Sequence, residues 1–479
     1  MRRAAAYNGV MPHPVLTVAQ MRQWEAATWA GGVVEEDVIR RAGLAVARCV
    51  ERHARAGARV LFLAGRGHNG DDAVRACEAL TGRTAELLRW AEPSLPALEA
   101  ALARRPDWIV DGLFGIGLNR PLAPEWAAVV DRLNAAGRPV LAVDVPSGLD
   151  ARSGRPLDTA VRARVTLTLG APKAGLVAPG AEEWVGRLET AADIGLVPCP
   201  FRTELMVLAE EDGAGFPPAR PSAGHKGDFG HLAILAGSRG YHGAAVLAAR
   251  AAQRAHPGLI TLLVPEEIYV PVASQLQAVM VRPYARQPEW PARVSAILAG
   301  PGLAAGDLSP AVRQVVVEAW MQSEVPVVID ASALDWLPAG TAGGGAARVL
   351  TPHPGEAARM LGLAGAAGVQ SDRLGALRQL AARWGATVVL KGHHTLVGGA
   401  TGTVLLNPTG NPWLAQGGSG DVLAGYLAGL LAQPPLARDR MATVGQAVYR
   451  HGQAADDLVA AGGAFVVEEL VEALGAGRA

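Results

Sequence analysis

The chain has 479 residues, half of them hydrophobic, and its 44 basic residues balance its 44 acidic ones. A net charge of zero argues against a nucleic-acid binder, which usually carries a basic patch. Three widely spaced cysteines, no apolar run long enough to cross a membrane and no apolar segment typical of a signal peptide predict a globular protein of a reducing compartment, the cytoplasm.

In the first half, short apolar runs each lead to a glycine-rich turn and then to a helical pattern. This order is typical of β–α units around a parallel sheet. Strands are predicted at 59–64, 108–113, 139–145 and 165–169, and helices at 71–80 and 125–135. A polar stretch with several prolines follows residue 198. We therefore predict two α/β domains, 1–205 and 206–479.

The second half repeats the same kind of pattern without an internal sequence repeat. Strands are predicted at 231–236, 259–264, 296–299, 326–330, 348–352 and 387–391, followed by a hairpin at 395–399 and 404–407. Two long helices, at 421–431 and 441–461, are predicted to close the domain.

Arginine supplies almost all of the positive charge, because only three of the 44 basic residues are lysines: Lys173, Lys226 and Lys391. Each lysine stands beside a glycine or proline turn. An ammonium group approaches a phosphate or carbonyl where a guanidinium fork does not fit. We therefore expect the lysines to mark ligand sites.

The stretch from Gly410 to Asp421 carries the strongest chemical signal. Gly417, Gly418 and Gly420 fall within four positions and precede an apolar helix. A glycine turn at a helix N-terminus directs backbone amides and a partial positive charge toward an anion. Asp421 fits two roles at this position, a helix cap and a general base that takes the proton from an attacking hydroxyl.

This stretch resembles the Gly-Gly-(Thr/Ser)-Gly-Asp signature of ribokinase-like folds, and more closely that of the ADP/ATP-dependent NAD(P)H-hydrate dehydratases. Further motifs match that family in order from about residue 222 to 475. They lie at 225–230, 237–238, 243–245, 300–303, 330–334, 351–356 and 391–395. One departure is Ser332, where the family usually has Asp.

The resemblance implies a ribokinase-like domain in which Asp421 is the catalytic base. It also implies an adenine nucleotide, ADP or ATP with Mg²⁺, bound by Lys391, Gly392, His393, His394, Thr395, Gly417, Gly418, Ser419 and Gly420. The hydrated dinucleotide would meet Ala244, Gly302, His353 and Asp421. From the sequence alone, a purely structural loop position is the alternative to a binding role for His353, His393 and His394.

The run from Gly65 to Ala73 follows a strand and opens a helix, and it resembles the N-terminal epimerase domain of the same repair enzymes. Stretches at 111–118, 144–150 and 170–175 match that domain closely, and the likeness covers about residues 15 to 200. The implied fold is a Rossmann-like three-layer domain.

That second resemblance implies a dinucleotide site formed by His68, Asn69, Gly70, Asp71, Asp72, Gly115, Ile116, Gly117, Leu118, Asn119, Arg120, Pro121 and Asp144. It implies a K⁺ site at Asn69, Asp111 and Ser147, whose oxygens suit a hard cation. We further expect Asp111 to do acid–base work at the epimerised carbon, with a structural strand-end carboxylate as the alternative.

His68, Asp71 and Ala73 replace an Asn and two Gly residues of the family's pattern. An aspartate in a phosphate-facing turn adds like charge, so we expect weakened epimerase activity.

Together the motifs predict an enzyme of NAD(P)H repair, both a lyase and an isomerase, that acts on NADHX and NADPHX. We expect a homo-oligomer that binds neither nucleic acid nor membrane. The alternatives are a vitamin-precursor kinase, which would not explain the first domain, and a nucleotide-binding protein without catalysis.

Overall fold

A computed structural model describes residues 12–341 and 345–475. The polypeptide divides after Val207 into an N-terminal unit, His13–Val207, and a C-terminal unit that starts at Leu208. The sequence places this boundary between residues 205 and 206. The prediction that there is no signal peptide concerns the N-terminal residues, of which 1–11 lie outside the described part of the chain.

The N-terminal unit alternates strands and helices. Its strands are β1 (His13–Pro14), β2 (Arg59–Ala64), β3 (Thr84–Arg89), β4 (Trp108–Gly112), β5 (Val140–Val143), β6 (Val165–Leu169), β7 (Arg187–Ala191) and β8 (Leu205–Val207). Its helices are α1 (Val18–Ala30), α2 (Glu35–His53), α3 (His68–Ala79), α4 (Leu95–Ala103), α5 (Pro124–Ala135) and α6 (Glu182–Val185).

Six strands form a parallel sheet in the order β3-β2-β4-β5-β6-β7. Successive side chains of β2 point to opposite faces, so Val60 and Phe62 join a core with α2 and α3, and Leu61 and Leu63 join another with α4 and α5. Helices therefore cover both faces, which confirms the three-layer α/β prediction. The chain changes direction across the sheet between β2 and β4, and ligands of such sheets bind at this switch point.

A cluster of polar side chains ties α2 to β7. The Glu189 carboxylate accepts hydrogen bonds from Arg52 at 2.6 Å and from His53 at 2.7 Å, and it lies 3.2 Å from Arg187. The Cys49 thiol lies 3.4 Å from the same carboxylate, and burial raises its pKa well above the ordinary value. The two arginines already balance the carboxylate, so we interpret the cluster as structural.

The C-terminal unit has a nine-strand series: β9 (His231–Leu235), β10 (Leu259–Pro265), β11 (Met280–Tyr284), β12 (Ala296–Ala299), β13 (Val327–Ile329), β14 (Arg348–Leu350), β15 (Thr387–Leu390), β16 (Leu396–Gly398) and β17 (Val404–Leu406). Its helices are α7 (His242–Arg254), α8 (Glu266–Ala273), α9 (Pro310–Gln322), α10 (Pro354–Leu361), α11 (Ala366–Ser371), α12 (Arg373–Trp384), α13 (Ser419–Leu431), α14 (Pro434–Ala437), α15 (Arg440–Gly462) and α16 (Val467–Ala473).

These strands pair in the order β17-β16-β15-β14-β13-β12-β9-β10-β11. The strands from β9 to β15 are parallel, and the predicted hairpin adds β16 and β17 antiparallel. Here the direction changes between β9 and β12, so the loops after these two strands meet at a second switch point.

Helix α13 packs unusually closely on α7. A Cβ atom at Gly425 would overlap the Ala248 carbonyl oxygen, and one at Gly429 would meet the Ala255 Cβ at 2.7 Å. Only glycine permits this approach. The contact fixes the start of α13 relative to the loop that leads into α7.

Within the described ranges, no helix combines the length and the apolar character needed to cross a membrane.

Candidate active sites

The glycine turn of the C-terminal unit leads directly into α13. Gly418 has a left-handed φ of 97°, and the helix begins at the next residue, Ser419. Among the described side chains none caps this helix end, and Asp421 lies at its third position. Asp421 therefore does not cap this helix, in contrast to one of its two expected roles. The amides of the first turn have no partner within the helix and provide the expected site for an anion.

Buried polar groups hold the turn in place. The Ser419 hydroxyl donates to the Leu414 carbonyl at 2.7 Å, so this side chain faces the turn itself. His451 of α15 lies with Nε2 3.0 Å from the Ser419 carbonyl. Burial lowers the pKa of His451 to about 4, so it is neutral at pH 7 and donates this bond as an uncharged ring. Asp456 accepts from the Gly410 amide at 3.0 Å. The turn is thus rigid before any ligand arrives.

Lys391 follows β15 and extends its ammonium group toward α13. Its Nζ lies 2.8 Å from Asp330 and 3.9 Å from Glu356. A Cβ atom at Gly420 would be 3.3 Å from this nitrogen. Burial disfavours the ammonium, but the carboxylates outweigh it and raise the pKa of Lys391. The lysine therefore stays charged beside the first turn of the helix.

Asp421 is the second key group of this site. Burial, together with the negative charge of Asp330, raises its pKa to about 7, although Lys391 acts in the opposite direction. A carboxyl group with this pKa is a stronger base than an ordinary aspartate, and about half of it is ionised at pH 7.

The loop from Lys391 to Thr395 is strained and clamped. Gly392 has a φ of 131° and His394 a left-handed φ of 51°. Arg373 of α12 donates to the Leu390 carbonyl at 3.1 Å, and the Thr395 hydroxyl donates to the Gly392 carbonyl at 2.9 Å. This geometry gives a loop of fixed shape next to the anion site.

The two histidines of this loop lie against each other. The rings of His393 and His394 are 3.9 Å apart. Burial holds the pKa of His394 well below its ordinary value, and its Nε2 is a buried atom without a hydrogen-bond partner among the described residues. His394 is therefore a neutral side chain inside the loop, and the role of either ring toward a nucleotide stays a prediction.

The structure brings Ala244 and Gly302 together at the switch point between β9 and β12. Gly302 has a φ of 67°, and a Cβ atom there would lie 2.8 Å from the Ala244 Cβ. One turn further along α7, Leu247 packs against Gly418. Helix α7 thus contacts both Gly302 and the glycine turn of the anion site.

His353 acts as the N-cap of α10. Its Nδ1 accepts from the Gly355 amide at 3.0 Å, while Glu356 accepts from the His353 amide at 2.8 Å. The ring is exposed on its other side. The structural role expected for a loop histidine is therefore real, and Nε2 lies 3.5 Å from the Glu356 carboxylate.

In the N-terminal unit, a cavity of about 690 Å³ lies at the switch point between β2 and β4. Most of the predicted dinucleotide residues line it: His68, Asn69, Asp72, Gly115, Ile116, Gly117, Leu118, Asn119, Arg120 and Asp144. Both strand ends that meet at the switch point thus contribute to one cavity, as the topology requires.

A buried ion pair forms one wall of this cavity. The Lys173 ammonium contacts the Asp144 carboxylate and also donates to the Leu169 carbonyl at 2.8 Å and the Thr168 hydroxyl at 3.1 Å. Asp144 has a left-handed φ of 64°, which is uncommon for a non-glycine residue and is held here by these contacts.

Two further carboxyl groups face the same space. Burial raises the pKa of Glu25, although Lys173 opposes the shift. Burial, reinforced by the charge of Asp144, also holds the pKa of Asp72 well above its ordinary value. The cavity therefore contains carboxyl groups that retain protons where ordinary acids have lost them.

Asp111 does not line the cavity with these groups. It is completely buried, and it accepts from the Ser147 hydroxyl at 2.6 Å, the Ser147 amide at 2.9 Å and the Leu113 amide at 3.2 Å. Both carboxylate oxygens are thus engaged by protein donors. The geometry gives Asp111 the strand-end structural role and offers no support for acid–base work on a bound ring.

Two of the three residues expected at a K⁺ site contact one backbone carbonyl, and the third is joined to them through Ser147. The Asn69 amide donates to the Phe114 carbonyl at 3.0 Å, and the Ser147 hydroxyl lies 3.4 Å from the same oxygen and 2.6 Å from Asp111. Asn69 Oδ1 is buried and has no hydrogen-bond partner among the described residues. An oxygen left in this state fits a cation ligand.

The altered turn directs its extra charge away from the cavity. The Asp71 carboxylate accepts from Arg89 of β3 at 2.6 Å and is outside the cavity lining. Like Asp71, the predicted residues Gly70, Pro121 and Ser147 do not line the cavity. This geometry gives no support to the expectation that Asp71 places like charge against a bound phosphate, and the weakened epimerase activity stays a prediction.

The first two helices contribute cavity residues that were not predicted. Arg22 and Glu25 of α1 and Glu35 of α2 line the cavity, as does Lys173. The scarcity of lysine did point to Lys173 and Lys391. Lys226 is exposed on a short 3-10 helix, and its expected role at a ligand site stays a prediction.

These features define a class of protein: a two-unit α/β enzyme. One unit has a site of the kind that transfers phosphoryl groups, and the other has a polar ligand cavity. Comparison with known proteins identifies the family. The model of the NAD(P)H-hydrate dehydratase family matches residues 232–474, and the model described as YjeF-related protein N-terminus matches residues 87–175.

Full-length relatives match both units. The chain is 36% identical to the bifunctional NAD(P)H-hydrate repair enzyme Nnr of Gloeobacter violaceus over 469 residues, covering 89% of this chain and 90% of the relative. It is 34% identical to the enzyme of the same name from Moorella thermoacetica, covering 92% of each. The chain therefore belongs to the family of bifunctional NAD(P)H-hydrate repair enzymes.

Among solved structures, the ADP/ATP-dependent NAD(P)H-hydrate dehydratase of Bacillus subtilis, co-crystallised with ATP and Mg²⁺, is 32% identical. It aligns over 54% of this chain and 91% of its own, with a TM-score of 0.48.

Proposed function

We propose that this protein repairs hydrated NAD(P)H. The C-terminal unit dehydrates S-NAD(P)HX at the expense of ADP or ATP, and the N-terminal unit interconverts the R and S hydrates. The observation that carries the proposal is Asp421, a carboxyl group with a pKa of about 7, at the first turn of a helix and close to the Lys391 ammonium.

The dehydration proceeds by activation of a poor leaving group. The hydroxyl on carbon six of the nicotinamide ring attacks the terminal phosphorus of the nucleotide and gives its proton to Asp421, while the bond from phosphorus to the leaving nucleotide oxygen breaks. The ring nitrogen lone pair then expels phosphate, and loss of the carbon-five proton restores the double bond. Amides of the glycine turn and Lys391 stabilise the transferred group, as donors of this kind do in phosphoryl transfer.

Epimerisation needs a proton donor at the same hydroxyl. An acid protonates the hydroxyl, the bond between carbon six and oxygen breaks, and the ring nitrogen forms an iminium ion. Water then adds to the other face and returns a proton to the carboxylate. We assign the acid to Asp72, because it lines the cavity and burial raises its pKa well above the ordinary value, which favours the protonated form. The buried contacts of Asp111 favour this choice over our expectation from sequence.

We propose that Asn69, Asp111 and Ser147 hold K⁺. The orphaned Asn69 oxygen supports the fit, and the ion would supply a positive charge beside the buried Asp111 carboxylate. We propose that Mg²⁺ enters with the nucleotide on its phosphate oxygens, which is the usual mode for this ion.

We further propose that the substrates are NADHX and NADPHX, that the protein works in the cytoplasm as a homo-oligomer, and that it binds neither nucleic acid nor membrane. The unpaired thiols of Cys49, Cys77 and Cys199 support a reducing compartment.

The test is recovery of the absorbance of reduced nicotinamide from purified S-NADHX with ADP or ATP. We expect recovery with the unchanged protein and a loss of roughly 100- to 10,000-fold in Asp421→Asn, which removes the base. Asp307→Asn, an exposed residue paired with Arg239, is the matched control and should leave the rate unchanged. A vitamin precursor phosphorylated in place of hydrate repair would refute the proposal.

A further inference from the structure

Asp330 is a buried acid that belongs to none of the predicted site sets. Asp330, Thr351 and Lys391 are the residues that directly follow the neighbouring parallel strands β13, β14 and β15. One oxygen of Asp330 accepts from the Thr351 hydroxyl at 2.7 Å and from the Lys391 ammonium at 2.8 Å. Three strand ends thus build a hydrogen-bonded row, and its central carboxylate is 1% exposed.

This row faces the anion site. A Cβ atom at Gly420 would lie 3.3 Å from Lys391 Nζ and 4.0 Å from the second oxygen of Asp330. The ammonium therefore stands at the first turn of α13, where the transferred phosphoryl group has to pass. A long lysine side chain has many rotamers, and the hydrogen bond to Asp330, shorter than the 3.9 Å approach to Glu356, keeps the ammonium at one point.

We propose that Asp330 is a positioning residue for the dehydratase reaction: it holds Lys391 against the transferred phosphoryl group and keeps Asp421 a strong base through its negative charge. This inference rests on the proposed function of the C-terminal unit. The Thr351 hydroxyl holds the Asp330 carboxylate in place, and this carboxylate in turn holds the Lys391 ammonium.

The electrostatic part follows from the groups around Asp421. The charged groups that act on it are Asp330, Lys391 and Glu356, which come from the ends of β13 and β15 and from α10. Asp330 and Glu356 raise the pKa of Asp421 after burial, and Lys391 lowers it. Loss of the Asp330 charge must therefore lower the pKa of Asp421 and weaken it as a base.

The test compares kcat, the KM for the nucleotide and the pH profile of Asp330→Asn with those of the unchanged full chain. We expect kcat to fall roughly 100-fold, as misplacement of a reacting group by about 1 Å does, with a smaller change in the KM. The acidic limb of the kcat profile should move down by roughly one pH unit, which a purely structural role would not produce.

Two further variants sharpen this test. Asp335→Asn removes an exposed carboxylate that pairs with Arg359 at 3.1 Å, a few residues after Asp330, and should change neither rate nor profile. Asp330→Glu keeps the charge but shifts it by one methylene, so kcat should fall while the acidic limb stays in place.

If Asp330→Asn does not fold, Thr351→Val carries the test, because it removes only the hydroxyl that fixes the carboxylate. We expect a lower kcat with an unchanged acidic limb, and an unchanged kcat would overturn the proposal. The same holds if Asp330→Asn folds and behaves like Asp335→Asn. Failure of the unchanged protein to act on S-NADHX would instead refute the proposed function itself.

Discussion

Among single residues, Asp421 sets the pH dependence that we expect of the dehydratase reaction. Its pKa is about 7, and the base must be ionised to accept a proton. The kcat should therefore rise tenfold per pH unit below 7 and level off above it. Measurement of the profile between pH 5 and 9 tests this, with Asp421→Asn expected to give a low, flat line. A limb centred near pH 4 would contradict the assignment.

The same shift predicts a change in stability. The pKa of Asp421 rises from 3.8 to about 7 on folding, so folding favours its protonated form. The stability that the protonated Asp421 carboxyl contributes is fully present below about pH 4 and is lost as the pH rises through its folded-state pKa of about 7. Asp421→Asn should therefore gain stability over the unchanged protein between pH 4 and 7, on the order of 1 kcal/mol after allowance for solvent screening. Unfolding in urea at pH 5 and pH 8 measures the difference, and an equal gain at both would contradict it.

The buried pair of Lys173 and Asp144 should dominate the stability of the N-terminal unit. Removal of one partner leaves an uncompensated buried charge, which costs about 3–5 kcal/mol. We expect Lys173→Met to lower the unfolding midpoint of this unit strongly. The double variant Lys173→Met, Asp144→Asn removes both charges and should recover part of the loss. A single variant as stable as the unchanged protein would show that the pair is not buried as described.

At this scale the sequence predicted the residues that stand in motifs and missed those that do not. Asp421 and Asp72 lie near the starts of helices that follow glycine-rich turns, and Lys391 precedes Gly392 at a strand end, so local pattern and site coincide. Glu25 lies on a helix with no distinguishing neighbours, so only the fold brings it into the cavity. Asp330 appeared in a matching motif, but its partnership with Lys391 depends on strand pairing that sequence does not encode locally.

At the scale of elements, the contact between α7 and α13 at the dehydratase site is close enough to require glycine at position 425. Because a Cβ atom at Gly425 would overlap the Ala248 carbonyl, Gly425→Ala must push the helices apart, which costs about 1–3 kcal/mol. We expect a lower unfolding midpoint of the C-terminal unit and a slower dehydratase, because Gly418 and Asp421 stand at the start of the same helix.

The control for this prediction is Gly462→Ala in α15. No atom of the described chain lies within 4 Å of a Cβ there, so alanine should be neutral or stabilising by up to about 1 kcal/mol. Equal effects of the two substitutions would show that the close packing of α13 does not matter.

Strands buried on both faces were predicted to within a few residues because their apolar runs are continuous. Strands β5 and β13 are shorter than predicted, because the residues that follow them leave the sheet to form the sites. Edge strands β3, β7 and β11 were not predicted. Their sequences carry charged side chains on the exposed face, and their pairing depends on the neighbouring strand rather than on local pattern. Helices α1 and α2, which precede the first predicted strand, were not predicted either.

At the scale of the molecule, each unit has its own switch point and its own set of charged residues. The two reactions are linked by chemistry: the epimerase converts the R hydrate into the S isomer that the dehydratase consumes. No residue of one proposed site is drawn from the other unit. The two activities should therefore be separable by substitution.

Separability gives a prediction for a mixture of R and S hydrates with nucleotide. The unchanged protein should recover nearly all of the reduced nicotinamide absorbance. Asp72→Asn should convert the S isomer at the normal rate and then slow to the spontaneous rate of epimerisation, whereas Asp421→Asn should recover almost nothing. Equal amounts of the two variants together should restore complete recovery, because each supplies the site that the other lacks. If the mixture instead stops where Asp72→Asn alone stops, while Asp421→Asn remains folded, the N-terminal cavity is not an independent epimerase.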